Sequence, residues 1–202
     1  MSFSSQKAAL LLDPLVGKTA VFLLEDRGSN LNLASAILPS LAEGKEGCSI
    51  LDLDALYSSN IDVVGARVSS GRLGRIELRV PEAGSNIERT LADIFLDASS
   101  RPLIIDSTNT LYQLLASQNP RPSSRKFAFL AAAMSSWARA NARMVLSSTY
   151  ERRTATRKKT ARSLYEMFDI VISVSRKADG LAMRCERGNA WRDRDFFLPF
   201  SV

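Results

Sequence analysis

The sequence predicts an α/β fold: a mainly parallel sheet flanked by helices in three layers, with antiparallel strands at its C-terminal edge. Three observations predict it. Short apolar runs at 20–24, 48–51, 75–80, 102–106 and 143–148 alternate with segments of helical periodicity, the pattern of βαβ units. The run at 102–106 is apolar on both alternating faces, as a strand covered on two sides requires. The last strand candidates, 170–174, 180–187 and 196–200, follow one another on short connections, with Asp179-Gly180 as a hairpin turn.

Residues 20–24 form a continuous apolar run that ends in Glu25-Asp26-Arg27-Gly28-Ser29-Asn30. A helix follows over 31–41, with Leu33, Ala34, Ile37, Leu38 and Leu41 on one face. The strand at 48–51 ends in Asp52-Leu53-Asp54, and 68–74 is a loop by its Ser and Gly content. Residues 75–80 alternate and stop at Pro81; 86–99 form a helix with Ile87, Leu91, Ile94 and Phe95 on one side. The strand at 102–106 ends in Asp106-Ser107-Thr108, and 108–117 is helical. The Pro-, Ser- and Asn-bearing stretch 118–124 is a loop, and 126–142 a long Ala-rich helix. The strand at 143–148 runs on into Thr149-Tyr150-Glu151. One domain over residues 1–202 is expected from this length.

Composition narrows the chemistry. Hydrophobic residues make up 46% and charged residues 24%, as in ordinary globular domains. There is no histidine, which removes Ser-His-Asp and Cys-His hydrolases and histidine-ligated metal sites. Cys48 and Cys185 are too few for a disulfide scaffold, lack zinc-ligand spacing and are expected to be inert and buried. No metal site is expected. No run approaches the roughly 18 apolar residues of a membrane span, and the opening segment is a poor signal peptide. The expected setting is soluble and intracellular: cytoplasm, nucleoid or nucleus.

The formal net charge is +6. Arg152, Arg153, Arg157, Lys158, Lys159 and Arg162 account for all of it, with no acid from 152 to 163. The rest of the chain is neutral. So compact a cationic segment suits a phosphate backbone or another polyanion; its alternative is a solvated basic face without a ligand. In a parallel sheet, ligands gather at the carboxyl ends of the strands. Three acidic strand ends and this basic run fall on that edge.

The order of elements resembles the RecA-like core of the P-loop NTPases, a group that includes RecA and RadA recombinases, their paralogues, KaiC-like proteins and Elongator accessory subunits. Residues 12–17 are similar to the family's opening segment. Residues 102–111 look like its Walker B strand and the polar turn after it, with Asp106 and Ser107 at the key positions. Asp54 stands where such proteins carry a catalytic carboxylate, and residues 147–150 where they have a polar sensor. Residues 151–163 match the second DNA-binding loop of recombinases, and 117–124 lie near the first.

The phosphate loop departs from the pattern. A Walker A motif, G-x-x-x-x-G-K-[ST], wraps phosphates with backbone N–H groups and reaches them with its lysine. Here the turn carries Arg27, Gly28, Ser29 and Asn30, with Leu31 or Asn32 near the lysine position and Glu25 and Asp26 adding negative charge. Gly17-Lys18-Thr19 spells the end of the motif but precedes the first strand. ATP and Mg²⁺ are therefore not expected as cofactors, and no catalytic residue is assigned. Asp106 would hold Mg²⁺ only with nucleotide from a neighbouring subunit; its simpler role is to cap the next turn through Ser107 or Thr108. Asp52 and Asp54 are otherwise solvated turn residues.

The resemblance implies a non-catalytic recombinase paralogue. It would bind DNA through the six basic residues, with Tyr150 as a candidate stacking partner, and assist recombination or repair within an oligomer or beside a RecA-family partner. The alternatives are an Elongator-like ring subunit that binds tRNA, an atypical ATPase, and a protein-binding scaffold. Trp137 is expected in the core, Trp191 in a partly exposed turn, and 196–200 as an edge strand.

Overall fold

A computed structural model of the chain describes residues 3–44, 46–82, 84–97, 101–117, 123–150, 165–191 and 195–200. Eight strands form one sheet: β1 (Thr19–Leu24), β2 (Cys48–Leu51), β3 (Ile76–Arg79), β4 (Leu103–Ile105), β5 (Val145–Tyr150), β6 (Ile170–Arg176), β7 (Gly180–Arg187) and β8 (Asp195–Pro199), in the order β3-β2-β4-β5-β1-β6-β7-β8. All pairings from β3 to β6 are parallel, while β6–β7 and β7–β8 are antiparallel. The predicted fold class is the observed one.

Helices cover the sheet on both faces. Helices α1 (Phe3–Leu12) and α2 (Arg27–Glu43) pack on one side with Ala20, Phe22 and Leu24 of β1. Helices α5 (Ile87–Leu96), α6 (Thr108–Ser117) and α7 (Ser123–Ala140) pack on the other with Val21 of the same strand. Alternation along β1 thus feeds both cores, which is why its sequence reads as unbroken apolar. Two short helices, α3 (Ile61–Gly65) and α4 (Ser70–Leu73), carry the β2–β3 crossover.

Several boundaries differ from the sequence reading, each for a local reason. Helix α1 was not predicted: its apolar residues sit in one cluster rather than a repeating stripe, yet Ala8, Leu11 and Leu12 are buried. Helix α4 lies inside the stretch read as a loop. Helix α2 begins at Arg27 instead of 31, because the Asp26 carboxylate accepts the Ser29 N–H at 2.6 Å and caps the helix there. Gly17-Lys18-Thr19 is at the opposite edge of the sheet from the strand carboxyl ends. Gly17 turns the chain with φ +74°, and the Thr19 hydroxyl and N–H both bond the Asp169 carboxylate at 2.9 Å.

Trp137 packs on Phe95 and donates to its carbonyl at 3.2 Å, as core placement requires. Trp191 is half-buried and stacked on Phe196 at 5.3 Å, in keeping with a partly exposed turn position. Cys48 and Cys185 are buried and unpaired, and burial pushes the Cys48 thiol up to about 12. Among the described residues no helix is long and apolar enough to cross a membrane.

Candidate site at the carboxyl edge of the sheet

The chain leaves β1 toward β2 on one side and, after β5, moves to β6 on the other. The carboxyl edge around β1 and β5 is therefore the switch point of the sheet, where α/β proteins form crevices. Four strand ends meet there, each contributing polar groups.

At the end of β1 only Glu25 and Asp26 separate strand from helix. Arg27, Gly28, Ser29 and Asn30, read from sequence as a remnant phosphate loop, are instead the first turn of α2. The Asp26 carboxylate occupies the N-terminal N–H of Ser29. A Cβ at Gly28 would lie 3.1 Å from Asp26 Oδ1 and 3.7 Å from Arg176 Nη1, so the space over this turn is already furnished with side chains. Arg27 reaches to 3.9 Å from the Asp54 carboxylate.

Asn30 is 1% exposed and bridges polar groups at the ends of two strands. Its Nδ2 donates to the Tyr150 hydroxyl at 3.0 Å and to the Asp106 carbonyl at 3.4 Å, while its Oδ1 accepts from Ser148 at 3.1 Å. Ser148 and Tyr150 end β5, and Asp106 follows β4, so one buried amide ties α2 to both neighbouring strands. Tyr150 is correspondingly half-buried, its ring against the core and its hydroxyl held inward. Burial raises its pKa, which the Asn30 bond partly offsets. The sequence reading missed Asn30 as the hub; a buried amide in a helix's first turn has no periodic signal.

Asp106 is 0% exposed. Its two oxygens accept the backbone N–H groups of Leu53 and Asp54, each at 2.8 Å. Burial pushes its pKa up to about 7; those two N–H bonds pull it down, and a hydrogen bond with Asp52 together with its charge pushes it further up. The carboxyl therefore clamps the turn after β2 and does not cap the next helix. That cap comes from Ser107, whose Oγ accepts the Thr110 N–H at 3.2 Å. Thr108 bonds Ser147 at 2.5 Å, linking the ends of β4 and β5.

Asp52 is 1% exposed, not a solvated turn residue. It accepts from Tyr57 N at 3.1 Å and Ser58 N at 2.8 Å. Burial alone would raise its pKa, but the Ser58, Asp106 and Tyr57 hydrogen bonds outweigh that and hold it below the ordinary carboxylate range. Asp54 accepts from the Thr110 hydroxyl at 2.5 Å. No three Asp, Glu or Cys side chains among the described residues form a metal-holding group. Arg152, Arg153, Arg157, Lys158, Lys159 and Arg162 lie outside the described residues, in the connection between Tyr150 and Tyr165.

The chain as a whole is similar to many solved structures, two of which show the likeness. RadB recombinase superposes with a TM-score of 0.65 at 13% identity, over 98% of this chain and 90% of that one. A KaiC-like protein from the hyperthermophilic archaeon Pyrococcus horikoshii superposes with a TM-score of 0.61 at 14% identity, over 93% and 86% of the two chains. No protein-family model and no curated protein sequence matches. The shared property is the fold: this chain has the three-layer architecture of RecA-like proteins.

Proposed function

We propose that this RecA-like chain is a non-catalytic paralogue that binds DNA through its basic segment and assists recombination or repair within an oligomer or complex. The observation that carries this is the direct junction of β1 and α2. A Walker A motif spans about eight positions, most of them a loop around the phosphates. Two residues stand here, and Asp26 already satisfies the N–H group that a phosphate would take. The residues do not fit Mg²⁺–ATP. Glu25 and Asp26 would each oppose a phosphate by about 1–4 kcal/mol at ~4 Å, depending on the local dielectric. Asp106 has both oxygens committed to backbone donors and shares a hydrogen bond with Asp52.

Removal of the nucleotide leaves the basic segment as the feature with an evident ligand class. In sequence it lies between Tyr150, at the carboxyl end of β5, and Tyr165. Its six cations carry the whole net charge of the chain. The structural likeness to a protein described as a recombinase supports DNA over other polyanions.

The test is binding of single-stranded DNA, duplex DNA and tRNA across a salt series, with a variant in which the six basic residues are glutamate. Wild type should lose affinity linearly with log salt, and the variant should lose both affinity and slope, by up to about 5 if all six meet phosphates of duplex DNA. Equal binding by the variant overturns the reading. Preference for tRNA in competition moves it to the RNA-binding ring subunit.

A further inference from the structure

On the sheet face covered by α5, α6 and α7, a groove of about 500 Å³ runs between α5 and α7, with Leu115 of α6 in its wall. Its sides are Leu91 and Phe95 from α5 and Phe129, Leu130 and Ala133 from α7. On α7 the sheet-facing side is made by Phe127, Ala131, Met134 and Ala138, all buried. Phe129 falls on the other side and is 78% exposed. Lys126, Phe129, Leu130 and Ala133 are spaced as one helix face over two turns, roughly 11 Å of groove. That length and apolar floor fit a short helix laid between two helices, a recurrent recognition mode.

Charge selects the occupant. From 107 to 150 the sequence has no Asp or Glu, while Arg125 and Lys126 stand at the mouth of the groove. Lys126 is bonded across it to Glu88 at 2.6 Å, which ties α5 to α7. Arg125 is exposed, and no acid among the described residues pairs with it. The α7 wall therefore presents an apolar strip with an unmatched cation at its start.

We propose that this groove seats one amphipathic, acidic helix of a partner protein. Two apolar side chains one turn apart fill the cleft between Phe95 and Phe129, and a carboxylate on the helix flank meets Arg125. Nucleic acid is not the occupant, because the floor is apolar and Glu88 lines the facing wall. The apolar contacts supply affinity, and the rim ion pair supplies orientation and partner choice.

The probe is a stapled helical peptide with Leu and Phe one turn apart and Glu along one flank, titrated by fluorescence anisotropy onto the full chain. Saturable binding at roughly 1–100 µM is expected. Phe129→Glu should weaken it at least about tenfold. Arg125→Glu should weaken it by roughly threefold and regain affinity for a peptide with Lys in place of Glu. Both positions are exposed, and an unchanged thermal melt verifies that the variants fold. No saturation below about 1 mM, binding indifferent to Phe129→Glu, or no charge-swap rescue overturns the proposal. A wild-type dimer that Phe129→Glu dissociates also overturns it, in favour of a second copy of the chain.

Discussion

Replacing Asp106 by asparagine should change how stability depends on pH, and by a calculable amount. In the folded chain this buried carboxyl has a pKa raised from 3.8 to about 7, first by burial and then by its neighbour Asp52. Between about pH 4 and 7 the folded state therefore holds a proton that the unfolded chain has released. The contribution of Asp106 to stability is complete below about pH 4 and declines as pH rises toward 7. At ~1.4 kcal/mol per pH unit, the loss over that window is on the order of 4 kcal/mol. Asp52 acts in the opposite sense: its lowered pKa favours folding above its unfolded value and loses that contribution only in stronger acid. Asparagine can donate to Asp52 as a protonated carboxyl does, but accepts only one of the two backbone N–H groups. That costs a roughly constant 1–3 kcal/mol at every pH. Urea unfolding of wild type and Asp106→Asn from about pH 4.5 to 8 separates the two effects. The difference between them should move in favour of the variant by ~2–4 kcal/mol as pH rises. Parallel curves would refute the buried shared-proton account.

Three further outcomes are expected. Asp26→Ala removes the N-cap of α2 and should lower stability by about 1 kcal/mol in urea, with no gain of ATP affinity. Asn30→Ala strands the Ser148 and Tyr150 hydroxyls at the crevice, a loss of roughly 1–3 kcal/mol visible as a lower urea midpoint. Gly47→Ala should lower stability by ~2 kcal/mol or more in thermal melts. Gly47 has φ +75°, and a Cβ there would lie 1.8 Å from the Arg75 carbonyl oxygen.

The sheet was legible because each strand is covered on a defined number of faces. β4 reads as pure apolar between two helix layers, and the alternation of β3 matches its half-buried edge position. The antiparallel edge was legible from Asp179-Gly180 and the short connections of β6 to β8. Helix α1 was not, since its burial depends on α2 and β8 rather than on its own periodicity. At the crevice, the sequence marked which strand ends are polar but not what they bond. Asp106 looks like an ordinary turn acid until β2 and β4 are placed side by side, when its carboxylate finds two backbone donors after β2, whereas Asp52 takes its two from its own turn, five and six positions on. Asn30 is invisible as a hub for the same reason: its partners lie 76 to 120 positions away. The junction of β1 and α2 was misread as a loop because Arg, Gly, Ser and Asn form a loop-like run, whereas the Asp26 cap starts the helix there.

Calorimetric titration of the full chain with Mg²⁺–ATP, alone and with single-stranded DNA present, bears most directly on the proposal that this crevice takes no nucleotide. No saturable heat is expected up to ~5 mM nucleotide, together with DNA binding that nucleotide leaves unchanged. A dissociation constant below about 1 mM that Asp106→Ala or Asn30→Ala weakens would contradict the account.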